Sequence, residues 1–386
     1  MKTSRLVTAV ALLLCGLTEA NAAEVDSGRL VRDAVGVARE LRQSDNTFDQ
    51  LSAAGILVEI GDKDSLQFLA DNLGHDDWSL MRSAIDTLLT VQHPAGLDVI
   101  YRYAALTEDP IFMKFLAEGC ASNPRDDMAE FLMEALKVDD TWVKKHALQA
   151  LVDTELENKE ARMRAIAENL DNDSTTRAYA WYALMDTPSR DDSLAMMLEI
   201  ADGWAPEAQE AAAVALGTVD TEINRAALHK LRTADTYKVQ VAAMTSEAGY
   251  GLPEAKEDLV RTIATGKGLD PAVAAASVRR LPPTMAEQVT HELLTCCPLN
   301  SDVGTRLLES WGTIEGNATE VLDWGLANEN PDIRMQAAWL VGRRGAQQYL
   351  DQLGRMLKDS DSGIRAMAAW SIVRILGDEF DEGVEI

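Results

Sequence analysis

Five histidines, four cysteines and a large number of aspartates are the side chains of this chain that could do chemistry. The histidines are His75, His93, His146, His229 and His291, and no two lie four residues apart. No helix can therefore present a two-imidazole zinc face, and the His-Glu-x-x-His pattern of metalloproteases is absent. There is no Gly-x-Ser-x-Gly elbow, no phosphate-cradling Gly-x-x-x-x-Gly-Lys loop and no Cys-x-x-Cys-His haem site. Two acidic turns, one with Asp171 and Asp173 and one with Asp359 and Asp361, look at first like calcium loops. They lack the Gly at position six and the Glu at position twelve that such loops need, and backbone capping is the reading they support. These residues point to no cofactor, no metal and no catalytic set.

The elements that position these residues are repeated. Asn330 to Trp339 reads Asn-Pro-Asp-Ile-Arg-Met-Gln-Ala-Ala-Trp, and 31 residues later Asp361 to Trp370 reads Asp-Ser-Gly-Ile-Arg-Ala-Met-Ala-Ala-Trp. Self-similarity at such a spacing marks a solenoid. The best copy has Leu357 ending one helix, an Asp-rich turn, Ile364 and Arg365 opening the next, then Ala368 and Ala369. The frame recurs at anchors Gln50, Arg82, Lys114, Lys144, Arg177, Ala208, Val239, Val273, Thr305, Arg334 and Arg365, ten steps with a mean of 31.5 residues. Each unit has room for two helices of about 12 residues. Apolar residues at i, i+3 and i+7, such as Leu350, Leu353 and Leu357, give amphipathic helices. No period-two strand pattern is present. Asp or Ser before the second helix can cap it, and the paired alanines let neighbouring helices approach closely.

Asp-x-Asp-x-x-Ile/Val-Arg-x-x-Ala-Ala resembles the HEAT repeat, in its short bacterial form known from phycobilisome-lyase-type proteins. The resemblance implies an all-α, right-handed solenoid of about eleven helical hairpins over 23–386, ending in a short acidic tail. At helix-packing distances the array would run roughly 90–110 Å along its curved axis, with a polar cap at each end. It also implies a ladder of hydrogen bonds between turn acids and helix arginines, at Asp173 with Arg177, Asn330 with Arg334 and Asp361 with Arg365. Second helices line the concave side in this class. Five residues after the anchor, Tyr182, Trp339 and Trp370 would form a column there, with Trp311 close to it. Such a column could bind a partner, since aromatic side chains anchor interfaces; alternatively the rings fill gaps left by the alanines. Hydroxylases of similar repeat hold two irons with several His-Glu pairs, whereas this chain has only His291-Glu292. Phycobilin lyases share the repeat but act inside cells, and a glycosylase of this fold needs a basic groove.

Residues 1–22 read as a cleaved signal peptide. Lys2 and Arg5 precede the apolar stretch from Leu6 to Leu14, and Ala20-Asn21-Ala22 is an A-x-A cleavage signal. Cys15 raises a lipoprotein alternative, which the bulky Leu13 and Leu14 disfavour. The apolar stretch is too short to span a bilayer, which takes ~20 residues. The expectation is an exported, periplasmic or secreted protein without a membrane span. Cys120, Cys296 and Cys297 then remain, an odd number; Cys120 lies too far from the pair to bridge it, and the adjacent Cys296 and Cys297 could form only a strained vicinal bridge, so buried free thiols are the expectation.

The chain has 36 basic and 63 acidic residues, a formal charge of −27. Such a field repels phosphate backbones and argues against nucleic-acid binding. It suits solubility of a long molecule, or recruitment of a basic partner. The reading that follows is a non-catalytic scaffold or adaptor for a protein or peptide, monomeric or in transient complexes. The alternatives are an accessory or maturation factor for a secreted enzyme, and an enzyme working through groove carboxylates. The last would show two facing Asp or Glu side chains with perturbed pKa values.

Overall fold

The computed structural model describes residues 26–107, 109–122, 125–266 and 269–377. The leader with Cys15 and the tail at 378–386 lie outside the described residues. Among the described residues there are 22 α-helices and no strand. The first member of each pair is α1 (Ser27–Leu41), α3 (Lys63–Asp71), α5 (Ala95–Ala104), α7 (Ala129–Ala135), α9 (Lys159–Glu168), α11 (Arg190–Gly203), α13 (Glu222–Leu231), α15 (Pro253–Thr265), α17 (Pro283–Cys296), α19 (Thr319–Leu326) and α21 (Leu350–Met356). The second is α2 (Thr47–Glu59), α4 (Trp78–Thr90), α6 (Pro110–Ser122), α8 (Thr141–Val152), α10 (Ser174–Tyr182), α12 (Pro206–Leu216), α14 (Tyr237–Gly249), α16 (Pro271–Ser277), α18 (Ser301–Ser310), α20 (Pro331–Arg344) and α22 (Ser362–Leu376). Even-numbered helices pack side by side as an inner layer, and odd-numbered helices back them.

Every anchor falls in the first turns of an inner helix. Asn46, Asp77, Asp140, Asp173, Asp270, Asn300, Asn330 and Asp361 each accept a backbone N–H from the first turn of the helix that follows. This satisfies donors that would otherwise be orphaned. Helices α12 and α14 start without such a bond, at Ala205 and Thr236. Their anchors, Ala208 and Val239, are not basic either, as is also true of Gln50, Val273 and Thr305 in capped helices. The alanines paired along the frame are buried, Ala211, Ala212, Ala337, Ala338, Ala368 and Ala369 completely so.

The array has no free ends. Helix α22 packs on α1 and α2 as each inner helix packs on its successor unit. Leu41, Ala53 and Ala366 share a small core, and Val31, Val35 and Ala38 sit in the same cluster as Ile364, Ala368 and Ile372. Ser362 Oγ donates to Asp49 Oδ1 at 2.9 Å, and Arg374 donates to the Thr90 carbonyl at 3.4 Å. The solenoid is thus a closed ring of eleven pairs, in place of the capped array expected. The cause lies in α22, which buries Ile364, Ala366, Ala368, Trp370, Ile372 and Val373. A helix apolar on so much of its circumference must be covered on more than one side, and α1 supplies the cover.

Cys296 and Cys297 form a vicinal disulfide, a correction to the free thiols expected. The backbone turns from helix to extended at Cys297. Cys120 is free and buried, and burial pushes its thiol up to about 12.

Candidate functional site on the inner face of the ring

Trp339 and Trp370 come together where the ring closes. They line a cavity of about 440 Å³ bounded by α2, α4, α20 and α22. Met335, Met367 and Phe48 add apolar wall, Phe48 being 46% exposed. Ser52, Ser83, Thr87, Arg82 and Asp86 supply the polar side. Gly55 keeps the α2 wall thin, since a Cβ there would stand 2.4 Å from Thr87 Cγ2. Trp370 is 8% exposed and so belongs to both wall and core, while Trp339 is half-buried.

The other two aromatics lie elsewhere. Trp311 is buried, and its Nε1 donates to Thr290 Oγ1 at 3.0 Å. It is an inter-helix filler, because α18 ends at Ser310 and turns the ring inward. Tyr182 ends α10 near Arg279 and Arg280, away from the two tryptophans, and burial pushes its hydroxyl up to about 12.

The ladder pairs do not bond as expected, because the acids are occupied in capping. Asp173, Asn330 and Asp361 accept from their own helices at Thr176, Ile333 and Ile364. The arginines donate to carbonyls instead: Arg177 to Ala167, Arg334 to Asn328 and Glu329, Arg365 to Asp359 and Ser360. Arg334 and Arg365 then reach an acid of the next unit, Asp359 at 3.7 Å and Glu40 at 3.6 Å. The second of these pairs continues the series across the closure.

Asp86 is the groove's shifted carboxyl. Burial pushes it up to about 6, against the nearby Arg82 at 3.7 Å, while Glu118 adds a like charge. Arg82 also binds Glu118 at 3.0 Å. Among the described residues no group of three His, Cys, Asp or Glu could hold a metal ion. No helix of the described residues is long and apolar enough to cross a membrane.

Phe48, Met335, Met367, Arg343 and Arg374 were not singled out from the sequence. A signal for the arginines was present: only after the anchors Arg334 and Arg365 does an Arg stand nine residues on, four beyond Trp339 and Trp370.

Fold and groove together define a helical-repeat protein with a recessed apolar inner surface. Residues 319–382 match the family of HEAT repeats. That stretch is the last two units, and the remaining nine follow the same frame with weaker sequence. No curated protein matches the chain. Among solved structures it is similar to an engineered protein at 16% identity, covering 89% of this chain and 98% of that one, with a TM-score of 0.30. It is also similar to a Kap121p mutant at 14% identity and a TM-score of 0.29, covering 92% of this chain and 46% of that one. Likeness at this level says nothing of what the chain binds.

Proposed function

We propose that the protein is an exported, non-catalytic scaffold whose inner face holds an extended segment of a protein partner. The groove lined by Trp339, Trp370, Met335, Met367 and Phe48 carries this reading. It is concave, mostly apolar and fringed with hydroxyls, the surface an extended segment with bulky side chains would bury. The leader at 1–22 supports export to the periplasm or exterior. The acidic surface supports solubility, with a basic partner as the second use for it. An enzyme working through groove carboxylates would show two facing carboxyls with displaced pKa values, and Asp86 is the one carboxyl among the groove's lining residues. The test is affinity purification of the tagged full chain from its native envelope beside a Trp339→Ala variant. A partner held by the parent and weakened by ~1–2 kcal/mol or more in the variant, the level of an anchor residue, supports the groove. Equal recovery from both would move the binding surface elsewhere.

A further inference from the structure

Two arginines lie just beyond the groove's tryptophans. Arg343 lies one helical turn beyond Trp339 on α20, and Arg374 one turn beyond Trp370 on α22, so each shares its tryptophan's face. The Arg374 guanidinium stands 5.2 Å from the centre of the Trp370 ring. Its contact with the Thr90 carbonyl fixes it at the C-terminal end of α4, and Thr90 itself lines the groove. Arg125, arriving from the far side of α4, donates to the preceding carbonyl, Leu89, at 3.1 Å. Two guanidinium groups from units well separated in sequence therefore hold consecutive carbonyls. Arg343 lies near both, and burial together with these like charges lowers the pKa of Arg343 and Arg374.

The local acids do not balance this cluster. Asp127 is taken by Arg125 in a two-bond pair at 3.0 Å. Glu59 faces Arg374 and attracts it while also accepting from the backbone of Gln92 at 2.9 Å and of His93 at 3.1 Å, which leaves Arg343 as the member of the cluster with no acid of its own. No described carboxylate is within ion-pair distance of Arg343. A half-buried cation without a counter-ion is costly, and in a chain of formal charge −27 an acid could readily have stood beside it.

We infer that the partner segment carries a carboxylate, which docks against Arg343 and Arg374 while its neighbouring apolar side chains lie on Trp339 and Trp370. The inference rests on the groove being the binding surface and adds its specificity: an acidic group at one end of an apolar stretch. Arginine suits this role because its planar fork matches a carboxylate with two parallel bonds. The negative exterior would repel such a segment at long range, so selection would occur inside the groove.

The probe is a pool of random heptapeptides with free C-termini, passed over the immobilised full chain. The retained peptides are sequenced by mass spectrometry. The expected result is enrichment of Leu, Phe, Met and Trp next to Asp, Glu or the terminal carboxylate. Arg343→Glu should abolish the acidic preference and keep the apolar one, weakening a selected peptide about tenfold, which is ~1.4 kcal/mol. Amidating that peptide's terminus while replacing its acids with amides should weaken it equally and leave Arg343→Glu no further effect. A retained pool that favours bases or shows no charge preference would overturn the inference and leave the groove reading standing. No retention above a Trp339→Ala control would sink the groove reading, and the inference with it. Retention that emerges only in a chain shortened to end at residue 377 would identify the chain's own acidic tail as the occupant and overturn the external partner. Circular dichroism of Arg343→Glu and of Arg343→Gln, the milder substitution, confirms that binding is compared on folded rings.

Discussion

Trp370 carries two duties, and its exposure decides which dominates in a mutant. At 8% exposed it is mainly packed, so Trp370→Ala should cost ~3–5 kcal/mol of stability, as removal of a core tryptophan does. Trp339 is half-buried and should cost less when truncated while losing more binding; urea midpoints of both variants separate the two roles. His146 gives a second prediction. It lies against Trp142, with ring centres 4.7 Å apart. Burial first, then the charge of Lys145, lowers its pKa to about 4. The unfolded imidazole takes up its proton near 6.5 and the folded one only near 4. Its share of stability is therefore complete above the first value and falls as pH drops between the two. Comparing urea midpoints at pH 7 and pH 4.5 should show this loss in the parent and a smaller one in His146→Gln. At this scale the sequence was a partial guide. The anchor arginines and the capping acids were readable because each sits in a repeated local pattern. Their bonding partners were not, because a cap and an ion pair call for the same aspartate and only the backbone geometry assigns it.

Helices α8 and α12 are not sequence neighbours in the inner layer, yet Lys145 of one binds Glu210 of the other at 3.0 Å, each 12% exposed. The ion pair passes over α10, whose Tyr179 ring lies 5.4 Å from the Lys145 ammonium. Burial alone would raise the Glu210 pKa, but Lys145 and Arg280 outweigh it and hold the carboxyl below its usual range. Removing one partner would strand the other in the interior. Glu210→Gln should thus cost ~3–5 kcal/mol, whereas replacing both, Lys145→Met with Glu210→Leu, should recover only part of it, because Arg280, 3.9 Å from Glu210, loses its carboxylate in either variant. Calorimetric melting of the single and double variants measures the difference; a single substitution that is neutral would show the pair to be solvated. Nothing in the frame foretold this contact. The repeat specifies which helices are adjacent, and a bond that skips one depends on curvature.

Closure is the feature of the whole molecule that the repeat pattern left open. A 31-residue period sets the content of each step but not the angle between steps, and that angle decides between coil and ring. The hint lay in α22, which is apolar on more of its circumference than the terminal helix of a capped array requires. If the junction between the last unit and the first equals the other ten, the chain's order of units is arbitrary. A circular permutant that links residue 377 to residue 26 and opens between α12 and α13 should fold with an unchanged circular dichroism spectrum and a melting point within a few degrees. A permutant that fails to fold would mean that the seam is a weaker joint than the rest. Open helical coils behave as springs, stretching and relaxing as small changes at each joint accumulate along their length. A loop closed on itself cannot accumulate them, because any widening at one joint must be returned by the others before the circuit ends. The walls that carry Trp339, Trp370 and the arginines are therefore held at a gauge set by the number of repeats. Adding or deleting one helical pair should change what fits between them more than any single side chain in the wall.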